Sequence, residues 1–267
     1  MAHWSEAARE EMDAFYKVAT LDYKELAIAC DWTALLPERS ASQSPLRILD
    51  VACGSGKFPA ALRAHTELRT RDECSLVLDL LDPSAFSLVE ARASLLSPFA
   101  ADRDFECTLQ DLPASAVGYD VVWAVHALYA IPETELKEAS SAFLRAIGSE
   151  GFGFIAHATH SAHYLAFYEA YLGRFKPEGT PFVSAEAVTC AFRDAGAHLD
   201  IKPLSYEQII DDDEVLEGFL QRCIFDSTLS LKAMLDDEVL GAYLQNCRDA
   251  EGRFHFRQDV SMIFIRP

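Results

Sequence analysis

The strongest chemical signal in the sequence is the loop DVACGSG at 50–56, which follows an apolar run and precedes a helical pattern. Its two glycines, Gly54 and Gly56, permit a tight turn and let a ligand approach backbone N–H groups at the start of a helix. The third glycine of a pyrophosphate-binding GxGxxG loop is absent, because Phe58 and Pro59 follow instead. The loop therefore indicates a ligand site and counts against a nicotinamide or flavin dinucleotide.

A second acid, Asp82, ends the next apolar run and precedes Pro83 and Ser84. A carboxylate at this point of a nucleotide-binding α/β fold can accept both hydroxyls of a ribose. Asp79 is an alternative, but its position in the middle of the strand would bury it. We therefore expect Asp82 to hold a ribose. Gln110 and Asp111 end the third predicted strand and suit the edge of an adenine, the alternative being a polar exit from that strand.

Histidines are the candidate proton acceptors. His126 lies at the exit of the fourth predicted strand, where open α/β sheets bind ligands, and the alternative is a histidine of the core or rim. His157, His160 and His163 form HxxHxxH after the fifth strand. No cysteine or carboxylate completes a zinc set at suitable spacing, so we expect no metal and place His157 or His160 in the substrate pocket instead.

Strands and helices alternate from residue 46 to 158, which predicts right-handed βαβ units and a mostly parallel sheet. Two later apolar segments, separated by an acidic helical stretch at 211–250, predict antiparallel strands added to its edge. A helical pattern at 5–36 and the Ser/Pro linker PERSASQSP come before the sheet. The predicted strands are 46–52, 75–81, 105–111, 119–128, 151–158, 197–208 and 253–267.

The chain divides on this pattern into an N-terminal helical cap (1–44), a cofactor-binding core (45–160), and a segment (161–267) whose helices cover the substrate and whose last two strands complete the sheet. The run DDDE at 211–214 is typical of a solvated helix start.

Composition narrows the class of partner. The 267 residues carry 23 Lys and Arg against 42 Asp and Glu, a formal net charge of −19. Nucleic acids and anionic membranes bind mainly through basic side chains, so neither is expected as a partner. The seven cysteines are odd in number and form no CxxC pair, which is typical of reduced thiols in a cytoplasmic protein. No secretory signal or bilayer-spanning run is visible, and we expect a monomer or weak dimer.

The segments LDVACGSGKF, LLDPSA, LQDLP and YDVVWAVHALYAIP, in this order, resemble the class I S-adenosylmethionine-dependent methyltransferases over residues 46–158. The segments HALYAIPE, HSAHYLAFYEAYLGRF, VSAEAVTCAFRDAG and VSMIFI are similar to the histamine N-methyltransferase branch. The resemblance implies a Rossmann-like α/β fold with a seven-stranded sheet, parallel except for an antiparallel C-terminal strand. It also implies S-adenosyl-L-methionine as cofactor and S-adenosyl-L-homocysteine as product.

The same resemblance assigns residues to each part of the site. Those implied at the cofactor are Asp50, Gly54, Gly56, Asp82, Ser84, Ser87, Gln110, Asp111 and the backbone of Val125. Those implied at the substrate are Glu25 (or Asp22), Tyr164, Tyr168 and Gln258. Beside them, the positions of the residues themselves make His126, Tyr129 and His157 the predicted catalytic set. We also expect Tyr16 or Phe15 of the N-terminal helix to close over the site. Tyr164 and Tyr168 stand where the relatives have two tryptophans, His126 where they have a glutamine, and Gln258 where they have an asparagine.

The predicted function is methyl transfer from S-adenosylmethionine to the nitrogen of a small amine or amino-acid-derived molecule. Oxygen and sulfur acceptors are alternatives. A nicotinamide-dependent oxidoreductase and a non-catalytic cofactor-binding protein are the hypotheses from other classes.

Overall fold

The computed structural model describes residues 9–38, 44–71 and 75–266. Residues 5–8 of the predicted N-terminal helix, residues 39–43 of the Ser/Pro linker, and Cys74 lie outside the described residues.

A single sheet organises the described chain, with the strand order β3-β2-β1-β4-β5-β7-β6. Strands β1 to β5 run parallel, and β7 pairs antiparallel with both β5 and β6. This confirms the predicted seven-stranded, mostly parallel sheet with an antiparallel C-terminal strand. The strands are β1 Leu46–Val51, β2 Leu76–Leu81, β3 Phe99–Phe105, β4 Tyr119–Val125, β5 Ile147–Ala158, β6 His198–Ile210 and β7 Phe254–Arg266.

The third strand lies earlier than predicted, at Phe99–Phe105 instead of 105–111. Within the sheet β3 pairs with β2 and forms one edge, so its outward positions are exposed and carry charged residues such as Asp102 and Asp104. Those charges hide the strand in the hydrophobic pattern. Residues 108–111 form a turn instead, in which the N–H of Asp111 donates to the carbonyl of Thr108 at 3.1 Å.

Helices cover both faces of the sheet. Of the described helices, none is both long and apolar enough to cross a membrane. Asp212 caps α8 by accepting the N–H of Val215 at 2.9 Å, so the acidic run at 211–214 is an exposed helix start, as expected. The helices are α1 Arg9–Ala29, α2 Trp32–Leu35, α3 Lys57–His65, α4 Ala85–Ser94, α5 Leu136–Ala146, α6 His163–Phe175, α7 Ala185–Asp194, α8 Asp213–Ile224, α9 Leu231–Asp236 and α10 Glu238–Asn246.

Helix α1 brings the N-terminal segment to the sheet. It packs against α3, α8 and β6. Tyr16, Ala19, Asp22 and Leu26 are all buried, and their spacing of three or four residues places them on one face of the helix. Because two of these four side chains are polar, this face contributes chemical groups as well as packing to the interior.

Candidate active site

The carboxyl ends of β1, β2 and β4 surround a cavity of about 100 Å³, here called the cofactor cavity. The strand order reverses between β1 and β4, which is where open α/β sheets form a ligand crevice. Its lining includes Tyr16, Asp50, Gly54, Asp82, Val125 and His126.

The loop after β1 uses its two glycines differently. Both have positive φ, +53° at Gly54 and +72° at Gly56. A Cβ added to Gly56 would lie 3.3 Å from the Ala91 backbone and 2.2 Å from the Ser94 hydroxyl, so this glycine lets α3 pack on α4. At Gly54 the nearest atom to an added Cβ is the Tyr16 hydroxyl, 3.9 Å away. Gly54 therefore keeps the cavity open, whereas Gly56 serves packing.

Asp82 is held in a fixed orientation at the end of β2. Its two carboxylate oxygens accept the N–H groups of Gly54 at 3.1 Å and Ser84 at 2.9 Å. Burial raises its pKa, while those two N–H groups and the Ser87 hydroxyl oppose the rise. A carboxylate accepts about four hydrogen bonds, so Asp82 retains acceptor capacity toward the cavity.

Asp79 belongs to the sheet and not to the cavity. It is buried, and it accepts hydrogen bonds from Arg103 and Tyr119 at 2.6 Å each. Burial raises the pKa of this carboxyl, but those bonds outweigh burial and hold it below the usual range. The mid-strand position thus gives Asp79 a structural role.

Asp50 is the second carboxyl of the cofactor cavity. It is buried, and burial together with the charge of Asp82 raises its pKa to about 7. Two neighbouring carboxyls in a partly desolvated cavity favour a positively charged ligand.

A second cavity of about 170 Å³, here called the acceptor cavity, adjoins the first. Tyr16, Tyr23, His126 and Ala127 line both. The rest of its wall is largely aromatic, from α1, α6, α8 and the loop before α7; its lining includes Phe15, Tyr129, Tyr164, Phe182 and Phe225.

His126 lies on the wall that the two cavities share. Its backbone is left-handed, with a φ of +52°, and its Nδ1 lies 2.6 Å from the Tyr129 hydroxyl oxygen. Its Nε2 is buried and has no hydrogen-bond partner among the described residues. Burial lowers the pKa of this imidazole to about 3, and His157 adds to the effect. His126 is therefore neutral near pH 7, with one nitrogen unused.

Tyr129 is fixed from two further directions. Its oxygen accepts the N–H of Ala158 at 3.3 Å, and its ring stacks on His157 with centroids 4.1 Å apart. The Nε2 of His157 lies 2.9 Å from the Val183 carbonyl, to which it donates, and burial lowers the pKa of His157 to about 4. His157 thus supports Tyr129 from behind and does not line either cavity.

A buried hydrogen-bond network begins at Asp22 on the acceptor cavity. Its carboxyl oxygens accept from the Tyr164 hydroxyl at 2.6 Å and the Gln208 amide at 2.7 Å. The Gln258 amide in turn donates to Gln208 at 2.8 Å. Burial raises the pKa of Asp22 to about 7 against hydrogen bonds from Tyr164, Tyr206 and Gln208. Gln258 therefore lies behind Gln208, two hydrogen bonds away from Asp22 on the cavity wall.

The three histidines of HxxHxxH diverge. The His160 Nδ1 lies 3.0 Å from the Glu186 carboxylate on the surface, and the His163 Nδ1 lies 3.0 Å from the Tyr243 hydroxyl beneath α6. His157 donates to a backbone carbonyl, as described above. Across the described residues, no group of three or more His, Cys, Asp or Glu side chains is placed to hold a metal ion.

Nine predicted site residues line neither cavity: Gly56, Ser84, Ser87, His157 and Gln258, described above, and Glu25, Gln110, Asp111 and Tyr168. The Gln110 amide donates to Glu135 at 2.7 Å, and Asp111 accepts from the Thr108 hydroxyl. Glu25 lies outside the two linings, and Tyr168 stacks at 3.9 Å on Phe182, which does line the acceptor cavity. Their roles at a ligand stay predictions.

Asp22, the predicted alternative to Glu25, lines the acceptor cavity. Several other lining residues have no counterpart in the sequence predictions. Tyr23 follows Tyr16 on α1, so helical periodicity could have found it. Arg222 is the single basic residue in the apolar run FLQRCIF, and a lone charge in an apolar segment could have marked it as a possible site residue. Phe182 and Phe225 follow no pattern that marks a pocket.

Solved structures share this fold. A candidate methyltransferase from Bacillus halodurans superposes with a TM-score of 0.57 and 13% identity, over 85% of this chain and 94% of that one. Magnesium protoporphyrin IX methyltransferase from Synechocystis, solved with bound S-adenosylhomocysteine, has a TM-score of 0.54 and 11% identity, over 98% of this chain and 95% of that one. A candidate sarcosine dimethylglycine methyltransferase from Galdieria sulphuraria has a TM-score of 0.52 and 13% identity, over 92% of this chain and 85% of that one.

No protein-family model matches the sequence, and no curated protein matches it. The finer resemblance to the histamine N-methyltransferase branch therefore stays a prediction. At these low identities, the structural likeness establishes one property: the chain has the class I methyltransferase fold.

Proposed function

We propose that this protein transfers a methyl group from S-adenosyl-L-methionine to the nitrogen of a small amine or amino-acid-derived molecule. The observation that carries the proposal is His126, whose Nε2 lacks a partner among the described residues and which lines both cavities. A neutral imidazole at that junction suits a hydrogen bond from the N–H of an acceptor amine, which would align its lone pair with a methyl donor.

The cofactor cavity has carboxyl groups that suit the ribose and the positive charge of S-adenosylmethionine. Asp82 has acceptor capacity left for ribose hydroxyls, and Gly54 leaves room beside it. The Asp50 carboxyl suits a positively charged group. When bound, this cofactor would supply a methyl group on a positively charged sulfur, which keeps the electron pair of the broken carbon–sulfur bond. The homologous fold of an enzyme solved with S-adenosylhomocysteine supports the same assignment.

On the acceptor side, His126 and Tyr129 act together. In the tautomer whose Nδ1–H is donated to the Tyr129 oxygen, the Nε2 of His126 can accept a hydrogen bond from the N–H of a neutral acceptor amine. The amine must be neutral before its lone pair can form the new nitrogen–carbon bond. Burial in the cavity favours that state because it disfavours a charged ammonium. His157 and the N–H of Ala158 keep the Tyr129 ring and oxygen in place.

The remaining walls align the acceptor and exclude water. Aromatic faces such as those of Tyr23 and Tyr164 favour cationic groups and displace solvent. Asp22 can accept hydrogen bonds from an acceptor nitrogen, which would keep that end of the molecule in the cavity. In this arrangement α1 and α8 cover the acceptor, while the sheet positions the cofactor.

Titration calorimetry with S-adenosylmethionine and with NAD tests the cofactor assignment. We expect binding of the former only; heat with NAD alone would support the oxidoreductase hypothesis instead. Incubation with methyl-labelled cofactor and pooled amines, amino acids, phenols and thiols tests the acceptor. Label in phenols or thiols only would contradict transfer to nitrogen, and cofactor binding with no labelled product would favour a non-catalytic protein.

A further inference from the structure

Arg222 is a buried cation in the acceptor cavity. It lies in the last turn of α8, is 6% exposed, and lines that cavity. Arginine is rarely buried to this extent unless its charge is paired with another group of the protein or with a ligand. Its guanidinium lies over the ring of Phe225, with Cζ 5.0 Å from the ring centroid.

The backbone at Phe225 is arranged to present that ring. Phe225 ends α8 in the left-handed region with a φ of +51°, which is unusual for a bulky residue. Its N–H donates to the carbonyl of Arg222 at 3.3 Å, so the two residues form one tight turn. The ring that supports the guanidinium itself lines the acceptor cavity. A strained residue that supports a buried charge on a cavity wall suggests a binding role.

The cavity therefore has an acidic and a basic side chain. The Asp22 carboxyl is engaged by Tyr164 and Gln208, on the side of β6. Arg222 lines the same cavity from the last turn of α8, a helix that packs against α1. A molecule with an amine and an acid group would match both.

We propose that Arg222 binds a carboxylate of the methyl acceptor, so that the substrate class is an amino acid or a similar amine that carries a free carboxylate. A guanidinium has five N–H donors in a planar fork that matches a carboxylate, so a hydrogen bond to the protein still leaves donors for a ligand. This inference rests on the proposed methyltransferase function and assigns Arg222 to binding, not to the transfer step.

Matched acceptor pairs test the inference on the wild-type protein. Tyramine against tyrosine, tryptamine against tryptophan, and histamine against histidine differ by one carboxylate. With methyl-labelled cofactor, we expect the carboxylated member of at least one pair to have a KM lower by roughly 10- to 100-fold, the range for hydrogen bonds to a charged group. A preference for the decarboxylated member in every active pair would overturn the inference.

The variants Arg222→Met and Arg222→Lys extend the test. Methionine preserves the length of the apolar stem but removes the charge, so the preference for the carboxylated acceptor should disappear. Lysine keeps the charge without the fork and should retain part of the preference. Unchanged KM values in Arg222→Met would overturn the inference. Calorimetry with S-adenosylmethionine distinguishes the two proposals, since only failure of the proposed function predicts that the wild-type protein does not bind it.

Discussion

The Nδ1 of His126 lies 2.6 Å from the hydroxyl oxygen of Tyr129, and that single contact orients the imidazole at the junction of the two cavities. Because the same tyrosine oxygen accepts the N–H of Ala158 at the end of β5, the orientation of His126 depends on the sheet itself. A hydrogen-bonding imidazole fixed in this way needs little rearrangement before it orients an acceptor.

Replacing His126 should misalign the acceptor. In His126→Asn we expect kcat to fall by roughly 10- to 100-fold, because the acceptor loses the hydrogen bond that orients its lone pair, with little change in cofactor affinity. Tyr129→Phe should lower kcat less, since it frees the imidazole without removing it. His160→Gln is the matched control, because His160 pairs with Glu186 on the surface. Unchanged kcat in His126→Asn would show that His126 does not orient the acceptor.

Replacing Asp82 should weaken cofactor binding. Asp82→Ala removes an oriented carboxylate at the end of β2, and we expect a loss of about 1–3 kcal/mol, roughly 5- to 150-fold in Kd by calorimetry. Asp111→Ala is informative beside it. Since Asp111 bonds to Thr108 outside the cavity lining, its Kd should stay near the wild-type value. A comparable loss at Asp111 would instead support its predicted position at the adenine.

Asp50 should make cofactor binding depend on pH. Its pKa is raised to about 7, so the carboxyl gains a negative charge as pH rises through that value. A positively charged ligand binds the charged form better, so affinity should increase from pH 5 to pH 8, by at most about tenfold per pH unit. Calorimetry across this range measures the slope.

The variant Asp50→Asn separates the titration of Asp50 from the titration of the ligand's own groups. In this variant the slope of affinity against pH comes from the ligand's groups alone. The same variant should unfold at a higher temperature than wild type at pH 8. A carboxyl whose pKa is raised on folding lowers stability above its unfolded pKa, with the full cost reached above pH 7. Identical slopes in the two proteins would contradict the assignment.

The two loop glycines should respond differently to alanine. Gly56→Ala places a methyl group against Ala91 and Ser94 at a φ of +72°, so we expect about 2–4 kcal/mol of lost stability from strain and overpacking. Gly54→Ala meets no close contact and should cost only the backbone strain of about 1–2 kcal/mol, but its methyl group would enter the cofactor cavity. Urea unfolding and cofactor calorimetry on both variants test this division. It would be contradicted if the same variant showed both the larger loss of stability and the larger loss of cofactor affinity.

The sequence predicted the sheet and the cofactor side well because both follow from local rules. One parallel strand ends in the glycine loop, and a second ends in an acid. Because parallel strands end at the same edge of a sheet, Gly54 and Asp82 lie close together there, independently of the rest of the chain. Their 3.1 Å hydrogen bond is the direct consequence. The predicted position of the third strand was wrong because this strand lies at the edge of the sheet. Its exposed positions carry charged residues, so the strand lacks the apolar pattern of the others.

The acceptor side could be predicted only in part. Its wall combines Asp22 from α1, Tyr164 from α6, Phe182 from a loop and Arg222 from α8. These residues are far apart in the sequence, and helix packing, which no local pattern encodes, brings them together. Gln258 illustrates the difficulty: its strand was predicted, but Gln208 and then Asp22 stand between it and the cavity.

The position of β7 has a consequence for biosynthesis. This strand is translated after the other six, yet it lies between β5 and β6 and pairs with both. Until it emerges from the ribosome, β5 keeps an open edge with buried residues such as Phe154 and Ile155 exposed beside it. Open edges of this kind recruit other chains. The nascent chain is therefore most prone to aggregation just before β7 is made, and substitutions that weaken β7 pairing should reduce the yield of folded protein more than they reduce the activity of the molecules that fold.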